Sequence, residues 1–350
     1  MLILSMLLFF ALSAVPAQQI KRSHALSNQK LQASRSLNAT GVLDVVAIMV
    51  EFQPDTNRLT TGTGIFGPAG MDGLPFLKNE EDFRVDPLPH DKEYFDAHLE
   101  FAKNYFEKAS DGQLTINYRV LPEVYRLPQK MEAYSPIGET FTNEKVAQLA
   151  KDAWAKVEEG DNFDTSGLDP EKTAFIIFHA GVGRDIELTG TTFDITPFDI
   201  PSLYLNKENL GELLDNPSFQ GFPVNDGSFK VSNSLIIPRT ETRRGLDIQD
   251  NEFAFPLSIN GLLVASIGSH LGLPDLFNTE TGDPGIGRFG LMDGAGFFAY
   301  NGLLPPEPSA WEKIYLGWEE PFNIDTNTSG EIVLPAASLD EPNSIAKYEI

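Results

Sequence analysis

The spacing of hydrophobic residues along the chain predicts two amphipathic helices, at 91–109 and 143–157. Apolar residues recur every three or four positions in each, which places them on one helical face. In the first helix they are Phe95, Leu99, Ala102 and Phe106, and in the second they are Val146, Leu149, Ala153 and Val157. Gly112 follows the first pattern, and glycine is typical of a helix end. Each helix is expected to bury one face and expose the other.

Short runs of β-branched and aromatic residues predict strands around these helices. The runs lie at 114–120, 173–179 and 235–237. A further apolar stretch at about 256–271 predicts a third helix. Helices laid over a mixed sheet make the predicted fold class α+β. The stretches 53–89 and 181–227 are rich in Gly, Pro, Asn and Asp and are predicted to be long loops.

The third predicted helix leads into a segment that resembles part of a zinc-peptidase motif. In zinc peptidases of the metzincin type, a helix carries His-Glu-x-x-His, so that two imidazoles one turn apart bind the metal and the Glu acts as general base. A glycine then ends the helix and a third ligand follows. Here 271–275 reads Leu-Gly-Leu-Pro-Asp, with Gly272 at the helix end and Asp275 at the third-ligand position. Counting back from Asp275, the His, Glu and His positions are held by Ala265, Ser266 and Ser269.

The resemblance extends beyond this helix. Met292, in the sequence Gly-Leu-Met-Asp, resembles the Met-turn that lies beneath such a site. Other segments also fit, at 45–52, 105–114, 178–181, 236–238 and 308–318. Over about 43–321 the chain resembles the immune inhibitor A family of secreted zinc metallopeptidases. That resemblance implies a zincin-like, metzincin-type domain with a mixed sheet, an active-site helix and a Met-turn.

The replaced positions predict that zinc chemistry has been lost. A shift of the motif by one residue does not restore it, because it would pair His270 with Ser266 and turn the imidazole about 100° from the metal face. Without a metal there is no Lewis acid and no polarised water. We therefore expect zinc to be absent and the small side chains to leave an open, water-filled pocket. The predicted function is that of a catalytically inactive pseudo-peptidase that binds peptide or protein.

Two other functions stay open from the sequence. An active zinc metalloendopeptidase would carry out proteolysis with non-standard metal ligands, and metal content separates it from the pseudo-peptidase. A purely structural envelope or surface protein would act through a C-terminal region. A pull-down with the domain alone separates that function from partner binding.

A loop after the third helix is a candidate calcium site. Asn278, Glu280 and Asp283, together with Asp275, place four oxygen-bearing side chains close in sequence. Oxygen ligands of this kind suit calcium, which is the cofactor that the loop and the resembled family favour. The spacing does not match an EF-hand, and a plain exposed loop is the stronger interpretation.

The histidines offer one further candidate metal site. His179 closes an apolar run, and with His270 and Asp275 it would form a rearranged metal site only if the three converge. A buried, hydrogen-bonded structural histidine is the favoured interpretation of His179. His90 and His98 are expected at the surface or on a helix face.

Composition and the N-terminus indicate the compartment and the partners. The chain has 26 Lys and Arg against 50 Asp and Glu, and its net charge of −24 repels nucleic acid and anionic membrane surfaces. With no cysteine, it has no disulfides to stabilise it. Residues 1–17 are predicted to be a signal peptide, so the protein is expected to be secreted or in the cell envelope, without membrane insertion. Residues 18–42 are predicted to be a flexible leader or propeptide remnant, 43–322 the metallopeptidase-like domain, and 323–350 the start of a further β-rich region that is cut short.

Overall fold

Strands and helices alternate along the chain around one central sheet. The computed structural model describes residues 20–22, 39–67, 84–136, 143–160, 163–188, 196–246, 249, 251–279, 281–294, 299–325, 330–336 and 344–347. The described strands are β1 (Ile20–Arg22), β2 (Gly41–Glu51), β3 (Leu114–Arg126), β4 (Thr173–Val182), β5 (Ile186–Leu188), β6 (Leu203–Leu205), β7 (Phe222–Val224), β8 (Phe229–Val231), β9 (Ser234–Thr240), β10 (Arg243–Leu246), β11 (Glu252–Phe255), β12 (Phe322–Asn323) and β13 (Ala346–Lys347). The described helices are α1 (Lys92–Ala109), α2 (Met131–Tyr134), α3 (Glu144–Glu159), α4 (Lys207–Leu213), α5 (Asn260–His270) and α6 (Ala310–Leu316), with 3-10 turns at Leu291–Asp293 and Ala299–Gly302.

The central sheet has five strands in the order β3-β2-β4-β9-β6. The first four run parallel to their neighbours, and β6 runs antiparallel to β9 at the edge. Val46 pairs with Phe175 across β2 and β4, and Ile177 pairs with Ile236 across β4 and β9. Long apolar runs are typical of parallel strands that are covered on both faces. The mixed sheet and the α+β class predicted from the sequence are confirmed.

Helices cover both faces of the sheet. In β2, Val45, Ala47 and Met49 pack in one core with residues of α1 and α5. The alternate residues Val46, Ile48 and Val50 pack in a second core with residues of α3. This follows from the two-residue period of a strand, which sends successive side chains to opposite faces. The two helices predicted first, α1 and α3, therefore lie on opposite sides of the sheet.

The predicted helices and strands are present, but several begin or end at other residues than the sequence predicted. The side chain of Asp91 caps α1 by accepting a hydrogen bond from Tyr94 N (3.1 Å), and Gly112 follows the helix with a positive φ of 73°. The third helix begins at Asn260, four residues later than expected, and β3 continues to Arg126. The stretch 181–227, predicted to be a long loop, contains β5, β6, α4 and β7.

The two ends of the described chain also form strands. β1 pairs antiparallel with β5, and β2 begins at Gly41, inside the segment predicted to be a leader. Phe322 and Asn323 of β12 pair with Ala346 and Lys347 of β13 in parallel. In the part of the chain that the structure describes, no helix combines the length and the apolarity needed to cross a membrane.

Phe95 tests how much the α1 side of the core stabilises the fold. Its ring is fully buried and stacks on Phe178 of β4, with 4.2 Å between the ring centroids. Phe95→Ala is expected to lower the free energy of unfolding by about 3–5 kcal/mol, because it leaves a cavity between α1 and the sheet. Urea unfolding followed by circular dichroism measures this loss. Phe289→Ala is the control, since that ring is exposed and its removal should change stability by less than about 0.5 kcal/mol. Equal losses of stability in the two variants would contradict the assignment of Phe95 to the core between α1 and the sheet.

Candidate functional site at the end of α5

The helix α5 ends where the sequence motif places its stop. Gly272 has a φ of 100°, a left-handed conformation that side chains with a Cβ rarely adopt. Its amide donates to Ser269 O (3.0 Å), and the amide of Leu273 donates to Gly268 O (2.9 Å). These bonds satisfy carbonyls in the last turn of the helix. The predicted helix stop at Gly272 is confirmed, and it turns the chain towards Asp275.

The three positions that would carry zinc ligands and base are buried. Ala265 is 1 % exposed, and Ser266 and Ser269 are 0 % exposed. The expectation of an open, water-filled pocket at these positions is wrong, because the whole of α5 from Asn260 to Ser269 packs inside the protein. Asp275 is partly buried in the segment after the helix stop. The small side chains of Ala265, Ser266 and Ser269 pack closely inside the protein.

Met292 lies beneath α5. A Cβ placed on Gly268 would be 3.1 Å from Met292 Sδ, so the thioether touches the last full turn of the helix. Leu276 N donates to Met292 O (3.1 Å), which ties the segment after the helix to the 3-10 turn at Leu291–Asp293. The structure thus shows that Met292 contacts α5, and its role as a Met-turn residue stays a prediction.

Glu312 of α6 holds this turn in place and was not among the residues singled out from the sequence. Its carboxylate accepts hydrogen bonds from Met292 N (2.8 Å) and Leu291 N (3.3 Å). Burial raises the pKa of Glu312, and the hydrogen bonds that it accepts oppose that rise. The same side chain closes a capping box with Ser309 at the start of α6. The Ser-x-x-Glu spacing of a capping box was therefore the signal available in the sequence.

Asp293 fixes the loop that precedes the turn. Its two carboxylate oxygens accept from Gly285 N (2.7 Å), Ile286 N (3.0 Å) and Arg288 N (2.6 Å). Three amides on one carboxylate make a rigid anion-centred turn, so the chain around α5 is held by buried acids on two sides. Both carboxylates, those of Glu312 and Asp293, accept hydrogen bonds from backbone amides.

His179 and His270 lie on opposite faces of the sheet. In β4, Phe178 faces the α5 core and the preceding Ile177 faces the α3 core, so His179 points towards α3. His179 contacts Phe52, and its Nδ1 accepts from Gly181 N (3.2 Å). The ring of His270 instead stands edge-on to Tyr204, with 5.6 Å between the centroids. The two imidazoles therefore do not join in a rearranged metal site, and the structural interpretation of His179 is confirmed.

Burial keeps both of these imidazoles neutral at ordinary pH. It lowers the pKa of His179 from 6.5 to about 3 and that of His270 to about 4. A neutral imidazole can bind a metal. His179 and His270 lie on opposite faces of the sheet, however, so they cannot bind the same ion. The position of each ring on its own face is therefore what decides against the shared site.

The expectation for His90 is wrong. This side chain is fully buried, where Arg239 Nε donates to its Nδ1 (3.1 Å) and Asp86 lies 3.4 Å from its Nε2. One partner four residues away and one 149 residues away make burial of such a ring possible. His98 on α1 is partly buried, with its Nδ1 2.5 Å from Asn260 Oδ1 at the start of α5. His98 is therefore on a helix face, as expected, but that face meets α5.

The candidate calcium loop is exposed and closed by its own hydrogen bonds. Asn278 Oδ1 accepts from Thr281 N (3.0 Å), and Asp283 Oδ2 accepts from Thr281 Oγ1 (2.8 Å). Asn278 N also donates to Asp283 O (2.8 Å). Glu280 lies outside the described residues. Among the residues that are described, no three His, Asp or Glu side chains converge as a metal-binding group.

No family model matches this chain, and no curated protein is significantly similar to it. Function must therefore be inferred from the side chains around α5. They offer the hydroxyls of Ser266 and Ser269, the Asp275 carboxylate, a neutral imidazole and a thioether. Hydroxyls and a thioether are poor ligands for Zn²⁺, which favours thiolate, imidazole and carboxylate.

The structural role of His179 gives a prediction about pH. Because its pKa is lowered from 6.5 to about 3, the folded state stays neutral while the unfolded state binds a proton. Its contribution to stability is therefore complete above about pH 6.5 and is lost as the pH falls towards the folded-state pKa. His179→Asn keeps an acceptor for Gly181 N and should remove about 1.4 kcal/mol per pH unit from the slope of stability between pH 6.5 and 4. Urea unfolding across this range measures the slope.

The control for this experiment is the same pair of proteins between about pH 7.5 and 8.5. There the imidazole is neutral in both states, so the two slopes should be equal. If the slopes below pH 6.5 are also equal, His179 is not held neutral by burial and its assignment as a structural residue fails.

Proposed function

We propose that this protein is a secreted pseudo-peptidase of the immune inhibitor A type, which binds peptide or protein partners and does not cleave them. The observation that carries the proposal is the state of Ala265, Ser266 and Ser269. They stand at the positions of the two zinc-binding histidines and the general base, and they are buried. The site therefore lacks both the groups that would hold the metal and the access that a substrate needs.

The chemistry of peptide hydrolysis also argues against cleavage by this chain. A metallopeptidase lowers the pKa of a metal-bound water and polarises the scissile carbonyl, and both steps need the metal. Loss of the general base alone commonly costs about 10²–10⁴ in rate. A chain that lacks both imidazoles and the base has no group at these positions that can replace them.

The arrangement of the sheet and α5 supports a zincin-like fold for the domain. An antiparallel strand, β6, forms the edge of the otherwise parallel central sheet, and α5 packs against this part of it. Met292 lies beneath α5, as a Met-turn residue would. We propose the zincin-like assignment on these three features together with the sequence resemblance.

A partner surface is supported by aromatic side chains beside α5. Phe289 is 82 % exposed on the segment that Asp293 anchors, and Tyr300 is 76 % exposed in the turn that follows. Asn301 O accepts from Ser258 N (2.9 Å), which fixes this turn to the start of α5. Aromatic side chains are enriched at protein interfaces relative to the rest of the surface. A protein or peptide partner would bury them.

The test of the proposal is an assay for both hydrolysis and binding with fluorescently labelled, denatured casein as the probe. With added Zn²⁺, the natural chain is expected to release no more peptide than buffer alone. It should still bind the probe, and Phe289→Ser/Tyr300→Ser should weaken that binding by at least about tenfold, as loss of two aromatic contacts predicts. Fluorescence anisotropy measures binding, and gel electrophoresis of the probe measures cleavage.

The matched control for hydrolysis is Ala265→His/Ser266→Glu/Ser269→His, checked for cooperative unfolding before use. Zinc-dependent cleavage by the natural chain that Asp275→Ala abolishes would contradict the proposal and favour an active metalloendopeptidase. A natural chain that neither cleaves nor binds the probe would also contradict it.

A further inference from the structure

Two adjoining cavities form a groove between α3 and the segment that joins α4 to β7, which we call the α3–α4 groove. Their volumes are about 400 Å³ and about 610 Å³. Asn216 and Phe219 line both cavities, so the two adjoin at these residues. α3 and β7 belong to the core on the sheet face opposite α5. The groove is therefore separate from the aromatic surface at Phe289 and Tyr300, and neither of those side chains lines it.

The wall that the two cavities share is apolar and is held by backbone hydrogen bonds. Phe219 packs against Phe222 of β7, with 5.0 Å between the ring centroids. Asn216 N donates to Gly211 O (2.8 Å), and Phe219 N donates to Asn216 O (3.0 Å), which fixes the turn after α4. Leu214 adds a further apolar side chain to the smaller cavity. Cavities of this size, with apolar walls and few polar groups, are typical of ligand-binding sites.

The acid that lines the smaller cavity has an unsatisfied oxygen. This acid is Glu158 of α3, and its Oε2 is shielded from water and receives no hydrogen bond within the described part of the chain. The base that lines the same cavity, Lys151, precedes Glu158 by seven residues. That spacing corresponds to about 10 Å along the helix axis, so the two side chains mark opposite ends of the cavity. A shielded carboxylate oxygen without a donor is costly, and a cation bound beside Glu158 would lower that cost.

Acids also predominate around the larger cavity. Glu208 and Glu212 line it and stand four residues apart on α4, a spacing at which like charges repel each other. Asp215, which follows the helix, lines it as well. The base at this cavity, Lys207, forms an ion pair with Glu171, with 2.7 Å between Nζ and Oε1. The charge that the larger cavity presents to a ligand is therefore negative.

We propose that the α3–α4 groove binds a basic peptide segment in which an apolar residue stands between two Lys or Arg residues. One basic side chain enters the smaller cavity beside Glu158, and the second enters the larger cavity beside Glu212. The apolar residue packs on Phe219 between them. Long basic side chains suit both cavities, because their aliphatic stems can lie along the apolar wall while the charged heads reach the acids.

Charge and shape together select this occupant. The net charge of −24 attracts cationic partners over a longer range than the contacts in the groove. A single small cation would fill only one of the two cavities, whereas an extended peptide reaches both. This binding site is independent of the partner surface proposed beside α5, since the two lie on opposite sides of the sheet.

The test measures the fluorescence anisotropy of a labelled peptide, Ala-Arg-Leu-Arg-Ala-amide, mixed with the full chain. The same peptide with citrulline in place of both arginines keeps the shape and removes the charge. We expect the arginine peptide to bind at least about tenfold more tightly than the citrulline peptide, because only the guanidinium groups form ion pairs with the acids. Added salt should weaken binding of the arginine peptide, since the groove is open to solvent and its charges are screened.

Substitutions then locate the binding site. Glu158→Gln keeps the size of the side chain and removes its charge, so the affinity for the arginine peptide should fall at least about fivefold. Phe219→Ala removes the ring shared by both cavities and should weaken binding of both peptides by a similar factor, provided that the variant still unfolds cooperatively. Glu159→Gln is the matched control, because that acid is the exposed neighbour on the same helix and does not line the groove. It should bind the arginine peptide as the natural chain does.

Four results would overturn the basic-peptide site. The first is equal binding, or no binding, of the arginine and citrulline peptides. The second is an equal loss of affinity in Glu158→Gln and Glu159→Gln, which indicates unspecific attraction to an acidic protein. The third is binding of N-acetylarginine amide as tight as that of the peptide, which assigns the site to a small cation. The fourth is loss of binding in Phe289→Ser/Tyr300→Ser but not in Glu158→Gln, which places the peptide on the surface beside α5.

Discussion

Burial of the central sheet on both faces is the constraint on which the rest of the structure depends. β2 and β4 carry apolar side chains at consecutive positions, so neither face can be left in water. α1 and α5 cover one face and α3 covers the other. Polar and charged side chains are then concentrated where β4 and β9 end, and there they are buried beside one another. The hydrogen bond that Tyr94 OH donates to Asp86 Oδ1 is one consequence of this arrangement.

The same constraint explains how α5 keeps its place with small residues at its motif positions. The helix packs against the sheet and against Met292. Glu312 holds the 3-10 turn that carries Met292 by accepting a hydrogen bond from its amide. A structural zinc ion supplies roughly 10–16 kcal/mol when its full ligand set is present. Here the apolar contacts of α5 hold the helix, and Ala265 and Ser266 are buried within it. The helix stop is present and small residues stand at the ligand positions, which supports the change from catalysis to binding that we propose.

Much of the secondary structure follows from local patterns, and most of the tertiary contacts do not. The period of Phe95, Leu99 and Phe106 predicts α1, and Gly272 predicts the end of α5, because each signal lies within a few residues of the feature. The same periods show that α1 and α3 each have an apolar face, but they cannot show that these faces meet opposite sides of one sheet. β6 was missed because it has only three residues within a stretch rich in turn-forming residues.

In the candidate site, too, local features could be predicted from the sequence and long-range contacts could not. The positions of Ala265, Ser266 and Ser269 follow from counting along one helix, but their burial depends on elements packed from elsewhere. His90 was expected at the surface because its partner Arg239 is 149 residues away in the sequence. The hydrogen bond from Gly183 N to Thr240 O likewise joins the ends of two strands that are not consecutive in the chain. Pairings of this kind are set by the fold, and a single sequence carries no local signal for them.

The central claim is that the domain has lost its zinc site, and zinc content measures this most directly. The purified chain would be exposed to Zn²⁺, freed of loosely bound metal by gel filtration and assayed by plasma mass spectrometry beside Ala265→His/Ser266→Glu/Ser269→His. We expect the natural chain to retain far less than one zinc per molecule and the folded triple variant to retain about one, as two restored imidazoles together with Asp275 should. Stoichiometric zinc in the natural chain that is lost in Asp275→Ala would contradict the account.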